Sequence, residues 1–268
     1  MQLGISSYTL TWSIGVPGYD RPSMPLSAIG LLQQAHQSGI RLVQIADNIP
    51  LHQMEKGELS EMKSTAEQLG VTIEVGTRGT APEHLLTYLE IARYLNSNLV
   101  RTLITTSDIE AAHMDVLSVI AQFEAYGITL GIENHGLHTT KQLSNMFKMI
   151  NHPLVGCCMD TVNSFSALDS PNQVIQNLVP YIVNLHIKDF DITRVDHQMG
   201  FVVLGTPAGY GKLSIKGLLS TIRSHRKNPT CILELWTPYT HNIEETIQLE
   251  RLWYEQSLAY LQQLDFSQ

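Results

Sequence analysis

Short apolar runs alternate with amphipathic segments from one end of this chain to the other, and that alternation constrains its fold more than any other feature. Residues 3–8, 42–47, 71–77, 99–105, 128–134, 154–160, 182–189 and 231–236 read as strands. Residues 26–38, 58–69, 82–95, 109–126, 139–150, 171–179, 214–225 and 242–263 read as helices, with Pro82 suited to a first helical turn. The strands are continuous apolar runs, the pattern of a parallel sheet covered on both faces. Spread over eight units, 268 residues leave about 33 each, close to one βα repeat. The fold expected is α/β, a single (β/α)8 barrel of eight parallel strands spanning 1–268. An open doubly wound sheet is the alternative, but it usually carries a glycine-rich phosphate turn after its first strand. The segment SYTLTWSIGVPG lacks GxGxxG. The loops after strands one and seven, the latter at 190–212, are long and are expected to lie over the barrel mouth as lids.

Four of the apolar runs end in a group that does not belong in apolar surroundings: Glu133 in TLGIEN, Asp160 in VGCCMD, His186 in VNLHIKD and Glu234 in CILELW. Taken singly, Asp160 reads equally well as a turn cap and His186 as a satisfied core histidine. Together they are harder to dismiss, because barrel strands deliver their C-terminal ends to one mouth. An unpaired carboxylate inside an apolar run is costly, and a shared cation removes that cost. Three carboxylates and an imidazole make a mixed O/N pocket for one divalent ion. Lys188, two residues past His186, shares its side of an extended strand. It reads either as a donor to an oxyanion or as a lysine paired with Asp189.

The bulk numbers exclude some partners. A formal net charge of −8 argues against a nonspecific hold on nucleic acid or anionic lipid. No apolar stretch approaches the roughly 20 residues of a membrane span. MQLGISSYTL has neither a basic n-region nor a long h-region, so no signal peptide is expected. Cys157, Cys158 and Cys231 lie in strands without CxxC spacing and read as small core hydrophobes in a reducing, cytoplasmic setting.

GIENHG, the MD of VGCCMD, LHIKD and LELW resemble the strand-five to strand-eight signatures of the xylose isomerase-like TIM-barrel superfamily, the sugar phosphate isomerase/epimerase group. The resemblance covers nearly the whole chain. It implies one Mn²⁺, Mg²⁺, Co²⁺ or Zn²⁺ held by Glu133, Asp160, His186 and Glu234, with the two glutamates also exchanging a proton with substrate carbon. It further implies an enzyme of carbohydrate metabolism, acting on a small sugar or sugar-derived keto acid through an enediolate. Homodimers or homotetramers are common among such relatives. Two departures matter. Asn163 stands where ketose 3-epimerases carry a histidine, and the nearest arginine after strand seven, Arg194, sits deep in the loop. Asn163 also breaks the D-x-x-H pattern of a three-zinc endonuclease site.

The first half of the chain supplies further pocket candidates: Tyr8, Trp12, Asp47, Asn48, Arg78 and Thr105. Arg78, in a short glycine-bearing loop, reads either as a bidentate holder of a carboxylate or phosphate or as a structural ion pair. Of His135 and His138, one is expected to contact substrate, and His135 is the choice. Tyr8, Arg78, His135 and Asn163 form the expected substrate-binding set, and Glu133, Glu234 and Lys188 the catalytic one. GISSYTLTWSIGVPGY, LVQIADNIPL and IEVGTRG are similar to the 3-oxo-isoapionate decarboxylase branch of the superfamily. The expectation is thus an isomerase or epimerase, with decarboxylation of a 3-oxo sugar acid as the alternative.

Overall fold

The computed structural model describes residues 1–197 and 199–266. Its strands are β1 (Gln2–Ser6), β2 (Leu42–Ile45), β3 (Thr72–Gly76), β4 (Leu99–Leu103), β5 (Thr129–Glu133), β6 (Val155–Asp160), β7 (Ile182–Ile187), β8 (Asp189–Arg194), β9 (Phe201–Thr206) and β10 (Thr230–Leu233). Eight of them close a parallel barrel in the order β1-β10-β7-β6-β5-β4-β3-β2. Closure is made by β1, which registers Ile5 on Val43 of β2 and Gly4 on Ile232 of β10. The (β/α)8 expectation therefore holds.

The helices are α1 (Thr11–Ile14), α2 (Ala28–Gln37), α3 (Lys56–Leu69), α4 (Pro82–Tyr94), α5 (Ile109–Tyr126), α6 (Thr140–Ile150), α7 (Pro171–Leu178), α8 (Ile215–Ser224) and α9 (Ile243–Leu261). Their starts follow from local chemistry. Thr139 with Gln142 and Ser170 with Gln173 form capping boxes on α6 and α7, and Asp108 accepts from Glu110 and Ala111 at the start of α5. Helices α3 and α5 stop at Gly70 and Gly127, both left-handed with φ of 62° and 65°. Among the described residues no helix is long and apolar enough to cross a membrane.

Two segments differ from expectation. Residues 190–212, read as a loop, instead begin with an antiparallel hairpin in which β8 pairs β9, Ile192 facing Val203 and Arg194 facing Phe201. Its β-branched and aromatic residues favour strand, while the intervening VDHQMG masks the periodicity. Asp189 roots the hairpin by accepting from the backbone N–H groups of Gly209, Gly211 and Leu213. Gly211 is required there, since a Cβ would lie 2.3 Å from Asp189 Oδ1. The first loop also contains α1, a single turn. Buried Glu250 of α9 fastens it by accepting from Trp12 N, Ser13 N and Ser13 Oγ at 2.8, 2.9 and 2.7 Å.

Alternation along the strands sorts the side chains. Val43, Ile45, Ile73, Val75, Leu130, Ile132, Leu185 and Ile187 belong to the buried apolar core. The alternate positions hold Gln44, Glu74, Arg101, Glu133, Cys158, Asn184 and His186. Gln44 on β2 hydrogen-bonds His186 on β7, strands that are not neighbours in the barrel, so these contacts cross its interior. Barrel interiors are usually filled by Val, Ile and Leu. Polar side chains occupy much of this one, and each needs a partner.

Candidate active site

Glu133 ends β5, Asp160 ends β6, His186 lies one residue from the end of β7 and Glu234 follows β10 by one residue. All four are buried. His186 Nδ1 faces Glu133 Oε2 and Glu234 Oε1, each at 3.4 Å, and Asp160 Oδ2 at 4.0 Å. On its other side His186 Nε2 lies 2.8 Å from Gln44 Oε1, an acceptor that draws the ring proton to Nε2. Gln44 is oriented in turn by donating to Glu74 Oε2 at 3.0 Å, and Glu74 also accepts from Asn184 Nδ2 and Thr230 Oγ1.

The donor set fits a divalent cation. Nδ1 of His186 is buried without a hydrogen-bond partner and points at three carboxylates. Neighbouring donors around an octahedral Mg²⁺ with bonds of 2.0–2.1 Å stand about 3 Å apart, so gaps of 3.4 to 4.0 Å close with small side-chain adjustments. Asp160, Glu234 and His186 each offer a ligand atom within 4.8 Å of the others, as do Glu133, Cys158 and His186.

Two cations brace this cluster. Arg101 of β4 is only 2% exposed. Its Nε reaches Glu133 Oε2 at 2.5 Å, Nη2 also meets that oxygen, and Nη1 bonds Asp47 Oδ1 at 3.0 Å and Thr77 O at 3.1 Å. Lys188 Nζ lies 2.9 Å from both Asp160 Oδ2 and Glu234 Oε2. Burial works against the charge on Lys188, but Asp160 and Glu234 outweigh it and hold its pKa above the ordinary value. Burial likewise opposes ionisation of Glu234, yet His186 and Lys188 keep it well below the usual carboxylate range. Burial lowers His186, and Glu234 and Glu133 more than reverse that.

Above the cluster opens a cavity of about 200 Å³, lined by Tyr8, Asp47, Arg78, Arg101, Leu103, Glu133, His135, Lys188 and Glu234. Of the expected substrate-binding residues, Tyr8, Arg78 and His135 line it. The Tyr8 hydroxyl, pushed up to about 12 by burial and by Asp47, sits 3.4 Å from Asp47 Oδ2. Arg78, 60% exposed, stands 3.7 Å from the same oxygen. Asn163 instead turns to the cluster, donating to Glu133 Oε1 at 2.7 Å. Asp160 also caps a turn, accepting from Val162 and Asn163 N–H. Lys188 belongs to the cluster, while Asp189 is taken up by the hairpin root. His138 is buried against Thr106 O, Asn48 bonds Ser7, and Thr105 is exposed. Arg194 lies on the hairpin over Phe201.

The sequence reading missed Arg101, Gln44 and Glu74. Each carries the signal that exposed Glu133, a polar group inside an apolar run (LVRTL, LVQI, TIEV).

The sequence profile described as Xylose isomerase-like TIM barrel matches residues 32–264. A 3-oxo-isoapionate decarboxylase from Pectobacterium atrosepticum is 34% identical over 265 residues, covering 97% of this chain and 95% of the relative. Two solved structures share the fold. A xylose isomerase-like TIM barrel protein from Mycobacterium smegmatis, in complex with magnesium, has 13% identity and a TM-score of 0.68, with 97% of each chain covered. A D-psicose 3-epimerase with D-tagatose, from Clostridium cellulolyticum H10, has 16% identity and a TM-score of 0.69, covering 98% of this chain and 97% of its own.

Proposed function

The chain belongs to the xylose isomerase-like TIM barrel family, and on that premise we propose that it is a divalent-metal-assisted decarboxylase of a 3-oxo sugar acid, 3-oxo-isoapionate or a close analogue. The 34% identity to a decarboxylase along nearly the full length supports this reading. The observation that carries it within the site is that both glutamates are pinned by buried cations, Glu133 by Arg101 and Glu234 by Lys188. A proton-abstracting base needs a free lone pair aimed at substrate carbon. Decarboxylation needs none.

In that reaction the bond to the carboxylate carbon breaks and its electron pair passes to the neighbouring ketone, leaving an enediolate as CO₂ departs. A proton then returns to the vacated carbon. A divalent ion held by Glu133, Asp160, His186 and Glu234 supplies a Lewis acid for the oxygen that takes up charge; the magnesium complex of the M. smegmatis neighbour supports such an ion. Arg78, at the mouth with Asp47 at 3.7 Å, holds the substrate carboxylate. Tyr8 and His135 bind its hydroxyls. Lys188 Nζ, an ammonium on the cavity wall, steadies the oxygen that takes up charge.

The four carboxylates Asp47, Glu133, Asp160 and Glu234 face the three cations Arg78, Arg101 and Lys188. Adding a divalent ion turns that one-charge deficit into a one-charge excess, matched by a monoanionic substrate. The isomerase or epimerase reading retains one argument, that Glu133 and Glu234 approach from different strands.

NMR in D₂O with Mg²⁺, repeated with EDTA, separates the two. Chelator-sensitive CO₂ release with deuterium at the vacated carbon is expected. Deuterium entry into ketoses with the carbon skeleton kept, and no CO₂ from any 3-oxo acid, overturns the proposal.

A further inference from the structure

Cys158 plays no part in the chemistry above, yet it stands one pleat below Asp160 on the same face of β6. It is fully buried, and its Sγ–H donates to Asn184 Oδ1 at 3.0 Å. Glu133, Cys158 and His186 present ligand atoms within 4.8 Å of one another, and so do Asp160, His186 and Glu234. The two triads share only His186, whose buried Nδ1 has no hydrogen-bond partner. One imidazole lone pair serves one ion at a time, so the triads are alternative positions.

We infer that the chain carries a second, deeper metal position, Glu133–Cys158–His186, that takes a thiophilic divalent ion such as Cd²⁺, Zn²⁺ or Co²⁺. Ligand chemistry separates the two. The upper triad adds two carboxylates to His186 and suits hard Mg²⁺ or Mn²⁺. The lower one offers sulfur, nitrogen and oxygen, a set that favours borderline and soft ions, with a fourth position left for water. Binding there releases the Sγ–H proton to solvent, breaks the bond to Asn184, and leaves a thiolate on the ion. Glu133 contributes Oε2 from under Arg101 or Oε1 from Asn163. Cys158, unlike Glu133 and Glu234, does not line the cavity. An ion in the deeper position sits away from the substrate and competes with the hard ion for His186 and for Glu133. The position depends on a cation at His186 but not on which reaction the mouth performs.

Titration of the metal-free full chain with Co²⁺, followed by near-ultraviolet absorption, tests this. A sulfur-to-cobalt charge-transfer band is expected in the wild type and is lost in both Cys158→Ser and Cys158→Ala, two variants guarding against a folding artefact in either. Cd²⁺ affinity, measured by calorimetry, should fall about tenfold or more in both, a loss at least as large as that of an outer-shell partner. Mg²⁺ affinity, measured by competition with Mn²⁺, should stay within about twofold, as expected of a hard ion that makes no use of sulfur. Absence of the band while Mg²⁺ still binds overturns the deeper position and leaves the proposed reaction standing. A band that survives in Cys158→Ser, or equal losses for Cd²⁺ and Mg²⁺, also overturns it. Failure of every divalent ion to bind overturns both this position and the metal-assisted reading.

Discussion

Replacing Arg101 with methionine removes the cation that braces Glu133 and Asp47, at nearly constant side-chain bulk. Arg101 is 2% exposed and engages Glu133 through two nitrogens and Asp47 through a third. Stripping one partner from a buried ion pair costs about 3–5 kcal/mol, because the other charge stays buried. The two carboxylates do not share that cost equally. Asp47 keeps the Tyr8 hydroxyl at 3.4 Å and Arg78 at 3.7 Å and is partly solvated, so its share is small. Among the described residues Glu133 keeps only Asn163 at 2.7 Å and the facing His186. The lower end of the range, about 3 kcal/mol, is therefore expected. For a protein of this size each kcal/mol moves Tm by roughly 2–4 °C, giving a drop of about 6–12 °C in the metal-free protein. At the proposed site saturating Mg²⁺ would place positive charge beside Glu133 and add binding free energy to the folded state alone, so the deficit should shrink in its presence. In a cycle with Glu133→Gln the double variant should lose much less than the sum of the two singles. Calorimetry of the four proteins with EDTA and with Mg²⁺ reads all of this. An Arg101→Met Tm within about 2 °C of wild type in EDTA would refute the reasoning, since no buried pair would then have been broken.

Three further outcomes follow from the same contacts. Glu133→Gln and Glu234→Gln should each cut turnover by about 100-fold or more while circular dichroism stays native; full activity in either removes that residue from the site. Gln44→Leu should weaken Mn²⁺ binding by about 10–100-fold, because His186 loses the acceptor that fixes its ring, and unchanged affinity would make Gln44 a packing residue only. Burial raises the pKa of Glu250 in the folded state despite its bonds to Ser13 and Trp12, so the fold binds that proton more tightly than the unfolded chain does. Stability relative to Glu250→Gln should accordingly decline as pH rises from the ordinary carboxylate value through the raised one, and a difference flat with pH in urea denaturation contradicts this.

Glu133 and Glu234 were legible in the sequence because a carboxylate inside an apolar strand declares a need for a partner, and the barrel's geometry says where such residues meet. The same signal at Arg101, Gln44 and Glu74 gave no partner. Gln44 and His186 are 142 positions apart and meet only because the sheet closes and the interior is crossed. The place of Asn163 after Asp160 suggests a substrate contact but does not announce its bond to Glu133, which depends on the turn that Asp160 caps. The hairpin escaped notice because its polar connection interrupts two strands whose apolar residues face largely outward.

The bracing cations also bear on which member of a fold family this chain has become. A metal frame of three carboxylates and an imidazole serves any reaction that passes through an enediolate, so the frame alone does not choose among them. The choice lies in what surrounds the carboxylates. An isomerase has to leave at least one of them basic and uncommitted, whereas here one carries a guanidinium and the other an ammonium. Those cations come at a desolvation cost, which the proposed decarboxylation would recover, because its cavity has to attract an anion and tolerate a carboxylate leaving as neutral CO₂. On the proposed reading, in a chain of net charge −8, a mouth made locally positive by Arg78, Arg101, Lys188 and a divalent ion would gather an acidic substrate that the rest of the surface repels. In that reaction the departure of CO₂ would leave a neutral ketose without the charge that held it, and the same electrostatics that favoured binding would favour release.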